Sequence, residues 1–345
     1  DVWRPDSEGG FPVLIERTPY DKTSSSESSL GAGEFYASHG YVTVIQDVRG
    51  RFASDGEFYP FRDDGDGEKK DGYDTVEWAA EQPWSNRKIG TIGGSYSGST
   101  QYRMLSSQPP YLVAQFVRQS SSDFFREWVY RDGAFELGFN LKWTLRHTAT
   151  NSRKLAAYGN EDEVEKLTVE ADENYLQWLE NTPIWPLPPV AGLHSWFKDW
   201  MSHPTAGEYW DEFSIARTHD RVDVPVHHFG SWFDCFLPGT IKNFAGMRAD
   251  AATAEARAGQ RLTIGPWVHN PGPADMREAG AVDFGEQAKI GWFTTRLRWF
   301  DHWLKGVDNG VDAEKPVKLF AMGINRWREL MANTTTIIGS TDTSE

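Results

Sequence analysis

The feature that most constrains this chain is a series of short, near-continuous apolar runs of strand length: PVLIERTP from Pro12, YVTVIQD from Tyr41, KIGTIGG from Lys88, VPVHHFG from Val224 and RLTIGPW from Arg261. Strands without polar alternation suit a parallel sheet covered on both faces, because an antiparallel sheet with one wet face would alternate. TVEWAAEQ from Thr75 and the stretch after Ser95 read as helices, which gives the β-α alternation of a doubly wound α/β fold. With 345 residues, 39% of them hydrophobic, the chain can bury a core of that size.

The pattern breaks between about Phe124 and Arg221. There the chain carries long helical patterns such as EDEVEKLTVEADENYLQWLEN from Glu161, many tryptophans, and a Pro-rich break, TPIWPLPP, from Thr182. Strand signals resume at Val224, so the expected organisation is a sheet domain in two segments, 1–123 and 222–315, interrupted by a helical cap over 124–221. The last stretch, PVKLFAMGINRWREL from Pro316, reads as the opening of a further β-region over 316–345, and the polar tail ANTTTIIGSTDTSE lacks the patterning to complete one. The chain is therefore expected to be cut short. It has no internal repeat.

A formal net charge of −15 and the lack of any Lys/Arg run disfavour nucleic acid or an anionic membrane as partner. A neutral or cationic small molecule fits better, and nothing in the sequence opposes a homo-oligomer. One cysteine, Cys235, cannot form an internal disulfide. With no long apolar span and no charged-then-apolar leader, a cytoplasmic home is expected, for a chain that starts at Asp1 without Met.

IGTIGGSYSGST places Ser95 between an apolar strand and a helix, with Gly93 two residues before it and the small Ser97 two after. A sharp strand-to-helix turn crowds those two positions and lifts the hydroxyl above the sheet, as a nucleophile elbow requires. Ser97 and Ser99 lack a glycine two residues before. The generic G-x-S-x-G pattern fails at Ser97, and a Gly/Ser-rich turn alone is more often structural or phosphate-binding. Two further strand ends strengthen the catalytic reading: Asp234 follows VPVHHFGSWF and His269 follows RLTIGPWV, giving the chain order Ser, Asp, His of α/β-hydrolases. Both sit past carboxyl ends of strands, where open α/β sheets assemble their sites.

The competing readings are weaker. His227 and His228 fall inside a strand, where packing or core hydrogen bonds explain them. His39, His194, His203, His219 and His302 have no acid in a matching position. The Gly-rich turn lacks the Lys-Ser/Thr of a P-loop. DDGDGEKKDGYD from Asp63 lacks the closing glutamate of a calcium loop and reads as a solvated acidic loop before a helix.

Six segments in order, PYDK from Pro19, VIQDVRGRFASDGEF from Val44, GGSYSG from Gly93, GSWFD from Gly230, IGPWVH from Ile264 and VKLFAMGINRWRE from Val317, together resemble the cocaine esterase and X-prolyl dipeptidyl peptidase family of CocE/NonD hydrolases. The resemblance runs from about Val2 to Glu329. The family's elbow is G-x-S-Y-x-G, which GGSYSG satisfies. The resemblance implies an α/β-hydrolase fold with a helical cap, and a triad of Ser95, Asp234 and His269. It also implies an oxyanion hole from the Tyr20 hydroxyl and the Tyr96 backbone N–H, and an acyl pocket lined by Trp128, Trp143 and Phe236, residues that would otherwise be strand-end or core aromatics. It implies no metal and no organic cofactor. Carboxylic-ester hydrolysis ranks first among the activities implied, X-prolyl dipeptidyl peptidase second; a non-catalytic binding protein on the same scaffold is the alternative of another class. Two departures stand out: a C-terminal jelly-roll domain is expected to be largely missing, as is a strand upstream of DVWRP.

Overall fold

The computed structural model describes residues 1–149, 166, 173–180, 183, 185, 195–269 and 277–332. Nine strands form one sheet: β1 (Val2–Trp3), β2 (Phe11–Thr18), β3 (Val42–Asp47), β4 (Ser85–Thr91), β5 (Leu112–Arg118), β6 (Val226–Phe233), β7 (Arg261–Val268), β8 (Val317–Ala321) and β9 (Arg326–Leu330), in the order β1-β3-β2-β4-β5-β6-β7-β8-β9. Every pairing from β3 to β8 is parallel, and only the two edge strands run antiparallel to their neighbours. This is the mostly parallel, doubly wound α/β sheet that the apolar runs predict.

Burial on both faces follows from the side-chain alternation of a strand. In β2, Val13 and Ile15 point into one layer with Val42, Val44, Val76 and Ala79, so helix α2 (Asp71–Glu81) covers that face, following helix α1 (Ala32–Ser38) in the chain. Leu14 points into the opposite layer, where it meets Tyr36 of α1 and the late helix of Trp292, Trp299 and Phe300. Helix α3 (Tyr96–Met104) starts at the elbow.

The chain leaves the sheet after Arg118 and returns at Val226. The intervening described elements include a π-helical turn (Phe125–Val129) and helices α4 (Leu137–Ala149) and α5 (Ser195–Ser202). Their core is aromatic: Phe124, Trp128, Trp143, Trp196, Trp200 and Trp210 pack with Phe58, Phe61 and Tyr96 from the sheet side. Helices α6 (Leu237–Asp250), α7 (Ala254–Gly259) and α8 (Trp292–Lys305) complete the layers. Of the helical pattern from Glu161, residues 166 and 173–180 are described, with a short helix at Tyr175–Leu179, and of the Pro-rich break from Thr182 residues 183 and 185 are; the rest of both, and His194, lie outside the described residues.

Three sequence expectations change. Leu112–Arg118, which the apolar runs do not flag, is a central strand. Its polar members are buried, and Gln115 Nε2 donates to the Gln101 carbonyl at 2.9 Å. The stretch from Pro316 does not open a separate β-unit: Val317, Lys318 and Leu319 pair in parallel with Leu262, Thr263 and Ile264 of β7, so the β8–β9 hairpin extends the main sheet, while 333–345 lie outside the described residues. The acidic loop from Asp63 is only partly solvated. Asp64 is buried because Arg17, buried at the end of β2, takes it as counter-ion, and Asp71 pairs with Arg49. Among the described residues no helix is long and apolar enough to cross a membrane.

Candidate active site

Ser95 sits at φ 58° and ψ −121°, a left-handed backbone that a side chain adopts only under constraint. The constraint is visible. The Ser95 N–H donates to the Arg118 carbonyl at 3.0 Å, and the Ser95 carbonyl accepts from the Gly98 and Ser99 N–H groups, each at 3.0 Å, and from Ser120 Oγ at 2.9 Å. The small neighbours are needed. A Cβ on Gly93 would meet the Ser97 Cβ at 2.7 Å, and one on Gly98 would meet the Ser120 Cβ at 2.7 Å. The alternative hydroxyls face elsewhere: Ser99 Oγ is 2.8 Å from Ser120 Oγ, and Ser97 lies against Glu16.

The parallel sheet brings the other two candidates to the same edge. Asp234 follows β6 in a turn closed by its N–H donating to the Ser231 carbonyl at 3.2 Å, and His269 follows β7 directly. His269 Nδ1 is 2.6 Å from Asp234 Oδ1, and His269 Nε2 is 3.1 Å from Ser95 Oγ. With Nδ1–H donating to the carboxylate, Nε2 is left to accept the Ser95 proton. Gln119, at φ 47°, braces the arrangement: its Nε2 donates to Ser231 Oγ at 2.7 Å and to the Val268 carbonyl, one residue before His269, at 2.9 Å.

Tyr20 follows the end of β2, with Thr18 Oγ1 accepting from its N–H at 3.2 Å. Burial raises the Tyr20 hydroxyl above its ordinary pKa, opposed by the Trp143 and Ser95 side chains, the Arg51 charge and the Tyr96 backbone N–H, all of which favour its ionised form. The Tyr20 ring stands edge-on to the Tyr96 ring at 6.2 Å, on the elbow side of the sheet, with the Ser95 side chain and the Tyr96 N–H among the groups that act on its hydroxyl. A donor pair placed there suits an oxygen that gains charge during acyl transfer. The Tyr96 ring stacks on Phe61 with centroids 4.0 Å apart, and its hydroxyl accepts from the Phe61 N–H at 3.0 Å.

The three pocket candidates gather beside these groups. Trp128 stacks on Phe236 at 4.8 Å and meets Trp143 edge-on at 5.9 Å; Phe236 stands edge-on to His269 at 5.3 Å, and Trp143 lies parallel to Tyr96 at 6.1 Å. All three are buried in the cap's aromatic core, so each also packs the fold. His147 packs at a tilt against Tyr20 with ring centroids 5.0 Å apart, and its i+4 spacing from Trp143 is the sequence signal that could have drawn attention to it.

The remaining histidines are accounted for locally. His228 has the Tyr102 hydroxyl and Gln260 Oε1 at 2.7 and 2.9 Å from its ring nitrogens, and His227 Nε2 is 2.9 Å from Thr263 Oγ1. His219 pairs with Asn243, and His39, His203 and His302 are not buried. Among the described residues the one set of three potential metal donors close together is Asp234, Cys235 and His269, which is the hydrogen-bonded pair just described plus a neighbouring thiol.

Comparison with known proteins identifies the family and the fold. A family model described as X-Pro dipeptidyl-peptidase (S15 family) matches residues 1–271. The cocaine esterase of Rhodococcus sp. (strain MB1 Bresler) is 30% identical over 337 residues, covering 95% of this chain and 56% of the esterase, so the chain spans about half the length of that relative. Among solved structures, an aminopeptidase from a marine sediment archaeon, Thaumarchaeota archaeon, superposes with a TM-score of 0.70 at 20% identity, covering 96% of this chain and 56% of the aminopeptidase. A CocE/NonD family hydrolase from Staphylococcus aureus gives 0.66 at 21% identity, covering 96% and 53%. At these identities the two structures establish a shared fold.

Proposed function

The chain belongs to the X-Pro dipeptidyl-peptidase (S15) family, and from that premise we propose that it is a serine hydrolase that cleaves carboxylic esters, or related acyl amides, through an acyl-enzyme on Ser95. The observation that carries the reading is the hydrogen-bonded relay Ser95–His269–Asp234, with its 3.1 and 2.6 Å separations. Ser95 Oγ bonds to the substrate carbonyl carbon as its proton passes to His269 Nε2, while Asp234 holds the imidazole by Nδ1–H. The oxygen that becomes anionic is met by the Tyr20 hydroxyl and the Tyr96 N–H. Collapse of the intermediate breaks the ester bond, and the leaving alcohol takes the proton from His269. Water, giving a proton to His269, then attacks the acyl carbon; the acid departs and the proton returns to Ser95. Every step is supplied by side chains and backbone, without a metal or an organic cofactor.

Ester hydrolysis is placed first because the groups gathered around the relay, Trp128, Trp143 and Phe236, offer apolar surface to an acyl group, and because the 30%-identical relative is a cocaine esterase. The family match keeps X-prolyl dipeptidyl peptidase activity as the second reading. Comparing turnover of 4-nitrophenyl acetate with that of a dipeptidyl-proline anilide separates them, since only the peptidase must also recognise a free ammonium group.

The direct test is the intact mass of the folded chain after exposure to a fluorophosphonate. One adduct, absent in Ser95→Ala, is expected. Ester turnover retained by Ser95→Ala would sink the assignment, and no adduct on a demonstrably folded chain would point to a binding role for the scaffold.

A further inference from the structure

Arg51, in the loop after β3, is fully buried at 0% exposure, and its fork is divided between two carbonyls on different parts of the molecule. Nε donates to the Pro19 carbonyl at 2.9 Å, and Nη1 donates to the His147 carbonyl at 2.7 Å. Pro19 immediately precedes Tyr20. His147 belongs to α4, and its ring packs at a tilt against Tyr20, with centroids 5.0 Å apart, and against Trp143 at 4.3 Å. One planar guanidinium thus ties the backbone next to Tyr20 to the helix whose His147 ring packs against the Tyr20 ring, while Tyr96 meets the same ring edge-on at 6.2 Å. The Arg51 guanidinium also packs over the Phe52 and Phe58 rings, with centroids at 4.9 and 5.2 Å, so its fork has little freedom to follow a displaced partner.

Taking the proposed oxyanion role of Tyr20 as its footing, we infer that Arg51 is a positioning residue for the oxyanion hole: it fixes the phenol against Ser95 and couples that placement to cap helix α4. Its charge also acts in the right direction, since a buried cation near Tyr20 strengthens the phenol as a hydrogen-bond donor. Burial lowers the Arg51 pKa to about 10, so the charge persists at neutral pH.

The test is a double-mutant cycle on the full chain with 4-nitrophenyl acetate, using Arg51→Met and Tyr20→Phe singly and together. Arg51→Met is expected to lower kcat about tenfold or more with KM nearly unchanged, because an interaction made mainly in the transition state is weakened. In the Tyr20→Phe background the same substitution should cost little. Arg51→Lys, which keeps the charge but cannot span both carbonyls, should recover part of kcat. A purely structural role would lower the melting temperature and reduce kcat by the same factor in both backgrounds, and that result overturns the inference. If Arg51→Met does not fold, the cycle is run with Arg51→Lys, and equal losses in both backgrounds again overturn it. An unchanged kcat in Tyr20→Phe alone would remove the footing as well, whereas a reduced kcat there with additive losses would sink only the role of Arg51.

Discussion

Asp234 receives His269 through one oxygen only: Oδ1 is 2.6 Å from His269 Nδ1, and Oδ2 is buried with no hydrogen-bond partner among the described residues. Oδ1 also accepts weakly from the Cys235 thiol at 3.8 Å, so its short bond to Nδ1 is what fixes the tautomer in which Nε2 is bare. An amide at this position can turn its NH₂ towards Nδ1 and impose the other tautomer, so that Nε2 carries the proton and cannot accept one from Ser95. Asp234→Asn is expected to keep the fold and lose roughly 10³–10⁴ in kcat for 4-nitrophenyl acetate. Steady-state kinetics beside a circular dichroism spectrum make the check; near-normal kcat in a folded variant would remove Asp234 from the relay.

Glu16 sets a pH dependence of stability. It lies buried under the elbow, accepting from Ser25 Oγ at 2.9 Å, and burial first and the Glu27 charge second push its carboxyl up to about 8 from 4.5. Between those values the unfolded chain has given up this proton and the folded chain has kept it. Stability contributed by this group is therefore greatest below about pH 4.5, falls as pH rises, and stays at its lower level above about 8. Glu16→Gln keeps an acceptor for Ser25 but does not titrate. The melting temperature of the unsubstituted chain should decline more from pH 5 to pH 9 than that of Glu16→Gln, and parallel curves would refute the assignment.

How far the sequence carries depends on whether each determinant is local. Ser95, Asp234 and His269 were legible because each follows an apolar run, and a parallel sheet puts all such ends on one edge. The small residues around Ser95 were legible for the same reason: the crowding between Gly93 and Ser97 spans only four residues. The central strand Leu112–Arg118 was not, because Gln115 and Arg118 break its apolar pattern, and what accepts from Gln115 Nε2 is a carbonyl on α3. The acidic loop looked solvated because nothing near it in sequence reveals that Arg17 is buried and needs Asp64. Arg51 was equally hidden, since its two carbonyls lie 32 residues before it and 96 after it. The stretch from Pro316 reads as a strand either way; only its pairing with β7 shows which sheet it joins.

Glu27 and Arg296 form an ion pair at 2.7 Å with both side chains at 0% exposure, joining the segment after Tyr20 to α8. Such a pair adds little over a well-packed apolar equivalent, but removing one member strands the other charge. Glu27→Ala should therefore cost about 3–5 kcal/mol in urea unfolding. Replacing both by apolar residues, Glu27→Leu with Arg296→Met, should recover much of that loss. A double variant no more stable than the single one would show that the site depends on the charges themselves, which also reach Glu16 and Arg118.

Gly93 offers the sharpest test of why the elbow has its sequence. Its φ is +125°, which side chains rarely adopt, and a Cβ there would stand 2.7 Å from the Ser97 Cβ and 3.4 Å from the Glu16 Cγ. Relief would require α3 to move at its first turn, and that turn carries the Tyr96 N–H. Gly133 separates the two contributions. It also has a positive φ, +83°, but a Cβ there would meet nothing within 4 Å. Gly133→Ala should lose only the backbone term, roughly 1 kcal/mol, with kcat unchanged. Gly93→Ala should lose more stability and should also react more slowly with a fluorophosphonate, because the hydroxyl and the oxyanion donor are displaced together. Equal stability losses in the two variants, with normal labelling rates in both, would mean that the elbow tolerates the methyl group and that crowding does not dictate the glycine.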